Sequence, residues 1–399
     1  MKTVKNIDFK GLRALVRVDF NVPLDAQMHI TDDTRIRAAL PTLRHILENG
    51  GSVILMSHLG RPKEGPEDRF SLRHLVSHIS ELLSAEVLFT SDCIGEEAIT
   101  MAKNLKAGQV LLLENLRFYK EETKGDTTFA SQLAALGDVY VNDAFGTAHR
   151  AHASTAVIAE YFKSRCCFGF LMADEVQNLE KVLGNARKPF TAIIGGAKVS
   201  SKISIIENLL PRIDNLIIGG GMSYTFIKAL GGNTGSSLVE DEYLETAQKV
   251  LQQAEHQGVR VLIPRDSLCA DKFDNDSNKA VYPSENIPEG WLGLDLGEEA
   301  IGHYKACIEE SKTILWNGPM GVFEMSSFEK GTREVAYSVV RATECGAYSL
   351  VGGGDSVAAI NKYHLSEHVS YVSTGGGAML EYLEGKILPG VAAILAQED

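Results

Sequence analysis

Residues 190–204 read FTAIIGGAKVSSKIS. A short apolar run, 190–194, breaks at Gly195-Gly196. Beyond it Ile203, Ile206, Leu209 and Leu210 recur at three- and four-residue spacing, the period of an amphipathic helix. Strand, glycine turn and helix in that order aim free backbone N–H groups and the positive end of a helix dipole at an anion. Lys198 and Lys202, four apart at the expected helix start, would share one helix face. Two cations where the dipole opposes them make sense with a phosphate chain between them. The spacing is not that of a P-loop, because GGAKVSSK lacks G-x-x-x-x-G-K-[ST]. Read alone, the lysines fit an exposed surface helix as well as a phosphate site, and the rest of the chain has to decide.

Toward the C-terminus, four more apolar runs end in glycine. They are NLIIGGGMSYTF (Gly219 to Gly221), TILWNGPMGVFE (Gly318, Gly321), YSLVGGGDSVAAI (Gly352, Gly353, Gly354) and YVSTGGGAMLEYL (Gly375, Gly376, Gly377). A tight turn or close packing accounts for any one cluster. Five in one half of the chain, four opening directly into helical patterns, point to a phosphate-bearing ligand. None makes G-x-G-x-x-G, which argues against a nicotinamide-dependent oxidoreductase on a similar fold. Asp355, directly after a glycine triplet, suits Mg²⁺ beside phosphates, or else a helix N-cap. Glu324 suits ribose hydroxyls, or else an exposed first-turn position.

Toward the N-terminus, strand candidates 14–20, 52–58, 86–90, 110–113 and 139–144 alternate with helical patterns, one of which follows Ser71 as a plausible N-cap. Such βα alternation predicts parallel sheets with helices on both faces and ligands at the carboxyl ends of strands. Those ends carry Asp19-Phe20-Asn21, with Arg35 at the next helix start; His58-Leu59-Gly60-Arg61; Arg117 in ENLRF; and Arg150 between His149 and His152. One such arginine would be read as a surface ion pair or a cap. Four with three histidines predict a basic pocket for a small, highly anionic ligand, which guanidinium groups grip through paired donors.

With 399 residues the chain exceeds what one core usually organises, so two domains are expected. The helical pattern 170–184 is read as the joining helix, with the boundary in front of it. The net charge of −13 is uneven: residues 1–170 hold 20 Lys and Arg against 21 Asp and Glu, and the remainder 19 against 31. An acidic half argues against nucleic acid and anionic membranes as partners. No apolar run approaches a membrane span, the first residues lack the apolar core of a signal peptide, and six cysteines show no metal-ligand spacing. Reduced thiols in a cytoplasm are expected.

The segments RVDFNVP, DDTRIRAALPT, SHLGRP, ENLRF, VNDAFGTAHRAH, GGAKVSSK, ILWNGPMGVFE, GGGDS and STGGGA, in this order, resemble the phosphoglycerate kinase family from end to end. The resemblance implies two Rossmann-like α/β domains, each a parallel sheet flanked by helices, facing across a hinge cleft. Residues 1–169 would form a phosphoglycerate-binding domain, and 170–386 the interdomain helix and nucleotide-binding domain. The tail 387–399 would return to the first domain. It implies reversible phosphoryl transfer from 1,3-bisphosphoglycerate to MgADP by a monomeric glycolytic enzyme. Carried over by motif, Asp19, Phe20, Asn21, Arg35, His58, Leu59, Gly60, Arg61, Arg117 and Arg150 would hold the phosphoglycerate. Lys198, Lys202, Asn317, Glu324, Gly353, Gly354, Asp355 and Ser356 would hold the nucleotide, with Mg²⁺ at Asp355. Arg35, Lys198 and the backbone of Gly375, Gly376 and Gly377 would serve the transferring group. Ser356 and Ser201 stand where many members of the family have threonine and aspartate.

Overall fold

The computed structural model describes residues 1–63 and 65–397. Short aliphatic runs, buried along the central strands and partly exposed at the edge strands Val87–Phe89, Arg260–Leu262 and Tyr371–Val372, become the strands of parallel sheets, which helices cover on both faces. The first six are β1 (Arg13–Arg17), β2 (Ser52–Met56), β3 (Val87–Phe89), β4 (Val110–Leu112), β5 (Val139–Asn142) and β6 (Cys166–Phe168). They form one parallel sheet in the order β3-β4-β2-β1-β5-β6.

The later strands are β7 (Phe190–Ile194), β8 (Asn215–Ile218), β9 (Asn233–Thr234), β10 (Arg260–Leu262), β11 (Asp266–Ala270), β12 (Lys279–Pro283), β13 (Asn286–Ile287), β14 (Leu292–Leu296), β15 (Thr313–Asn317), β16 (Tyr348–Val351) and β17 (Tyr371–Val372). A second parallel sheet runs β10-β8-β7-β15-β16-β17. Beside it, β11 pairs antiparallel with β12 and β14.

Counted within its own sheet, the second order is 3-2-1-4-5-6, the doubly wound arrangement. Its switch point, where successive connections turn to opposite sides, lies between β7 and β15. The first sheet has its switch between β1 and β5. Ligands of such sheets bind outside the carboxyl ends at these switches.

The chain divides into two compact units, one holding Met1–Gln177 with the chain from Ile387, the other Asn178–Lys386. The division falls inside the helix Phe170–Leu183 rather than in front of it. Hydrogen bonds explain why: Phe170 N donates to Thr42 Oγ1 (2.8 Å) and Met172 N to Asp143 Oδ1 (3.1 Å), both in the first unit. At the other end, Tyr348 OH of the second unit donates to Asn178 Oδ1 (2.6 Å). The tail holds to the first unit where Gly390 N donates to Ala148 O (2.9 Å). Glu398 and Asp399, the end of the expected tail, lie outside the described residues.

The expected strands in the first half overrun the observed ones, by three residues at 14–20 and two each at 52–58 and 139–144. The excess residues, 18–20, 57–58 and 143–144, lie where the strands run out into the loops at their carboxyl ends. Val18 N and Asp143 N still donate to the neighbouring strands, at Met56 O (3.0 Å) and Arg17 O (2.8 Å). Alternate apolar side chains of each parallel sheet gather on one of its faces into the two main clusters. One is centred on Val16, Val53 and Leu112 and the other on Ile193, Ile314 and Trp316.

Candidate active site

Arg17 closes β1 and is fully buried, which the sequence reading did not single out. Its Nε donates to Ser154 Oγ (2.9 Å), its Nη1 to Val18 O, and its Nη2 meets His58 Nδ1 at 3.4 Å. The signal was present in the sequence: an arginine inside the apolar run ALVRV has to be paired or functional. A guanidinium only donates, so the Arg17 contact makes His58 Nδ1 the acceptor and assigns the ring proton to Nε2, with Asp19 Oδ1 farther off at 3.8 Å from the same nitrogen. Burial, then Arg17, Arg117, Arg35 and His152, hold the His58 pKa well below the usual imidazole value. Burial and the same arginine field push His152 down to about 4. Both rings are therefore neutral near pH 7, and the positive charge expected of histidines and arginines together comes from arginines.

Around them, Arg35 Nη1 donates to Asp19 Oδ2 (3.1 Å) and Asn21 O (3.2 Å), so the arginine from the helix Thr34–Glu48 leans over the end of β1. Asn21 Oδ1 accepts from Gly60 N (2.8 Å), tying the β1 loop to the β2 loop. Phe20 N donates to Ser57 Oγ (2.8 Å) and Asn21 N to Asp19 Oδ1 (3.3 Å), so these backbone groups brace one another. Asn115 Nδ2 donates to Leu59 O (2.7 Å) and Phe70 O (2.9 Å), and Arg117 Nη1 to Gly60 O (2.8 Å). Burial first, then Arg17 and Arg61, lower the Arg117 pKa. Arg61 and Arg150 are exposed, and neither guanidinium has a partner among the described residues. Unneutralised cations on a frame this firmly braced make an anion site.

In the second unit Lys198 and Lys202 do not share a helix face. Val199–Ser201 form a 3-10 turn and the helix Ile203–Leu209 starts only after Lys202, which is its N-cap. Glycine clusters after β8, β16 and β17 open directly into helices, whereas Gly195-Gly196 leads into the 3-10 turn. Lys202 Nζ donates to Asn317 Oδ1 (2.5 Å), across the β7/β15 switch. Burial lowers the Lys202 pKa, opposed by the Asp355 carboxylate. Lys198 stays exposed, with no side-chain partner among the described residues.

Asn317 is itself buried, and its Nδ2 donates to Gly352 O (2.7 Å). Ser356 is buried too, its Oγ accepting from Gly318 N (2.5 Å). These two side chains stitch the glycine turns together from beneath. The glycines permit the close approach: Gly318 has φ +104°, and a Cβ there would lie 2.1 Å from Gly195 O. At Gly353, φ +91°, a Cβ would lie 2.3 Å from Asn317 Nδ2. Gly353, not Asp355, is the N-cap of the helix Gly354–Lys362, leaving Asp355 exposed in its first turn. Gly375 N donates to Ser373 Oγ (3.1 Å), whereas the N–H groups of Gly376 and Gly377 have no protein acceptor among the described residues.

A pocket of ≈ 330 Å³ opens from these turns and is lined by Gly196, Gly220, Gly221, Asp355 and Glu324. Tyr224, within NLIIGGGMSYTF, joins Leu238, Phe273, Leu292 and Leu294, which lie outside every motif read, in an apolar wall. Polar at one end and apolar at the other, it has the make-up of a nucleotide site. Glu324 sits in the loop after β15, not in a helix. Among the described residues no group of three or more His, Cys, Asp or Glu could hold a metal ion by itself. None of their helices is long and apolar enough to cross a membrane.

Two doubly wound units, one carrying an arginine-lined anion site and the other a glycine cradle with a nucleotide-like pocket, define a two-domain α/β phosphotransferase. The family model of phosphoglycerate kinase matches residues 4–386. A curated phosphoglycerate kinase of Porphyromonas gingivalis is 54% identical over 98% of this chain and 99% of its own. The cytosolic enzyme of Nicotiana tabacum is 52% identical over 98% and 97%. The solved phosphoglycerate kinase of Coxiella burnetii superposes with a TM-score of 0.92 at 41% identity, covering 100% of this chain and 99% of that one. That of Pyrococcus horikoshii gives 0.83 at 30% identity, covering 100% and 99%. The chain belongs to the phosphoglycerate kinase family. It is a glycolytic transferase that moves a phosphoryl group reversibly between 1,3-bisphosphoglycerate and ADP, giving 3-phosphoglycerate and ATP.

Proposed function

We propose that the two anion sites divide the substrates between the units. The phosphoglycerate is held in the first, by Arg35, Arg61, Arg117, Arg150 and the His58 Nε2–H, with Asp19 and Asn21 shaping the β1 loop. The nucleotide is held in the second, by Lys198, Lys202 and the N–H groups of Gly354, Asp355 and Ser356. Helix first-turn N–H groups have no intrahelical acceptor. Glu324 accepts from the ribose, and Asn317 and Gly353 act by holding the turns. The observation that carries this is the set of charged groups left without partners among the described residues, Arg61 and Arg150 in one unit and Lys198 in the other.

Asp355 alone fits Mg²⁺ as a nucleotide-borne ion, since Mg²⁺ uses one or two carboxylates together with substrate phosphates and water. Bound there, the ion would offset phosphate charge. Both nucleophiles, a terminal ADP phosphate and a carboxylate, are already anionic near neutrality, so the chain needs no general base. Its residues contribute alignment and charge neutralisation: Arg35, Lys198 and the N–H groups of Gly376 and Gly377 face the migrating phosphoryl, and Gly375 sets their turn. A cytoplasmic setting accords with six free cysteines and with the relatives named cytosolic.

A pair of variants separates the two sites. Arg61→Ala should raise the KM for 3-phosphoglycerate by about tenfold, the scale of one lost charged contact, with the ATP KM unchanged. Asp355→Ala should move the Mg²⁺ titration of rate to higher concentration and leave the phosphoglycerate KM alone. Interchanged effects would overturn the division.

A further inference from the structure

Glu122 reads in sequence as one charge in the exposed run KEETK, yet it is among the most buried carboxylates of the first unit, 1% exposed. It sits in the helix Lys120–Lys124, four residues beyond ENLRF, and its Oε1 lies 3.8 Å from His152 Nδ1. Ser154 donates to it twice, through Oγ to Oε1 (2.6 Å) and through N to Oε2 (3.0 Å). With its hydrogen directed at Glu122, the Ser154 hydroxyl turns a lone pair to Arg17 Nε at 2.9 Å. Arg17 in turn offers Nη2 to His58 Nδ1. Burial raises the Glu122 pKa, and Arg17 and the Ser154 bonds oppose the rise. Four chain segments thus meet in one dry relay: the helix Lys120–Lys124, the loop at Ser154, β1 and the end of β2.

We propose that Glu122 and Ser154 are positioning residues for the phosphoglycerate side: through Arg17 they hold His58 in its neutral Nε2–H form, aimed as a donor at an anionic substrate oxygen. An imidazole whose Nδ1 lost its donor would sample both tautomers and present an acceptor to an anion part of the time. A relay of this kind acts on recognition and not on transfer, because all its members belong to the first unit and none is among the groups proposed to face the migrating phosphoryl. The inference rests on the reading that His58 touches the phosphoglycerate.

The test uses the full chain with ¹⁵N-labelled histidine. In the parent, the His58 ring should show Nε2 protonated and Nδ1 bare, and its signals should shift on adding 3-phosphoglycerate alone. Ser154→Ala should give averaged ring signals and raise the KM for 3-phosphoglycerate by about tenfold, the scale of one lost hydrogen bond. The ATP KM and kcat should stay within about twofold of the parent, since the reacting centre is untouched. Ser154→Thr, which restores the hydroxyl, should bring both readouts back. Glu122→Gln, nearly isosteric, repeats the test without emptying space and carries it if Ser154→Ala does not fold. Parent-like tautomer and KM in the folded variants would overturn the proposal. A parent His58 that ignores 3-phosphoglycerate would instead overturn the substrate contact on which it rests.

Discussion

Lys198 differs from every other cation of the nucleotide unit's switch point in having nothing to hold. Lys202 is committed to Asn317, and burial has already lowered its affinity for a proton. A free ammonium beside a phosphate cradle does most when charge is moving, in the transition state. Lys198→Ala should therefore cut kcat by roughly 10³-fold, the scale of removing a charge-stabilising group in phosphoryl transfer, with a much smaller change in nucleotide KM. A coupled assay in both directions reads this. Collapse of affinity with turnover preserved would make Lys198 a ground-state anchor instead. Which of the two lysines was free could not be read from their spacing. Four residues apart implies a shared face only inside a helix, and the 3-10 turn at Val199–Ser201 moves both out of one. Arg17 was visible as an arginine inside an apolar run, but its partners, like the burial of Glu122, were hidden for a related reason. Burial of a charge is decided by partners distant in sequence, here Ser154 and His58, and no local pattern announces them.

The joining helix Phe170–Leu183 shows how an element is anchored. Its first N–H groups, which no helix can satisfy internally, are taken by Thr42 Oγ1 and by Asp143, whose carboxylate favours the positive dipole end. Burial nonetheless pushes the Asp143 carboxyl up to about 7, with the Thr42, Met172 and Leu171 hydrogen bonds opposing. Unfolded, it titrates near the ordinary value of about 3.9. Between those pH values the folded chain keeps a proton that the unfolded chain has released. The stabilisation from this group is therefore complete below about pH 4 and is lost as pH rises to about 7. Asp143→Asn, which never ionises, should flatten that part of the pH dependence of unfolding by ~1–4 kcal/mol, at about 1.4 kcal/mol per pKa unit. Denaturant midpoints at pH 5 and pH 8 measure it; an unchanged difference would mean that Asp143 does not titrate in this window. Asp295, also buried and raised to about 7, should leave a residual slope of the same sign. At the level of elements the sequence was informative: β7 is observed as read, and the glycine ends of β8, β15, β16 and β17 lie where the runs stop. What it missed is where strands yield to loops. Phe20 and Ser57 keep strand-like composition or burial while their hydrogen bonds go elsewhere: Phe20 N donates to Ser57 Oγ, and Ser57 O accepts from Leu116 N.

At the scale of the whole molecule, the reaction sets a requirement that neither unit meets alone. The groups proposed for phosphoglycerate belong to one compact unit and the glycine cradle to the other, and the chain crosses between them twice, within the helix Phe170–Leu183 and at Lys386 to Ile387. In-line transfer needs donor and acceptor atoms within about 3–3.5 Å, and an acyl phosphate has to be kept from water while it reacts. Admission of two substrates and release of two products require the opposite, an accessible site. A hinge at the two crossings satisfies both demands, since few residues there have to change backbone angles. On the proposed division of substrates, each ligand alone would contact chiefly one unit and bias such a hinge only partly, and both together would gain differential affinity for a closed form. Small-angle scattering of the full chain with neither, either and both ligands should show little change for single ligands and a smaller radius of gyration for 3-phosphoglycerate with the magnesium nucleotide. A radius of gyration unmoved by the ternary combination would sink the hinge and leave transfer to a fixed arrangement of the units.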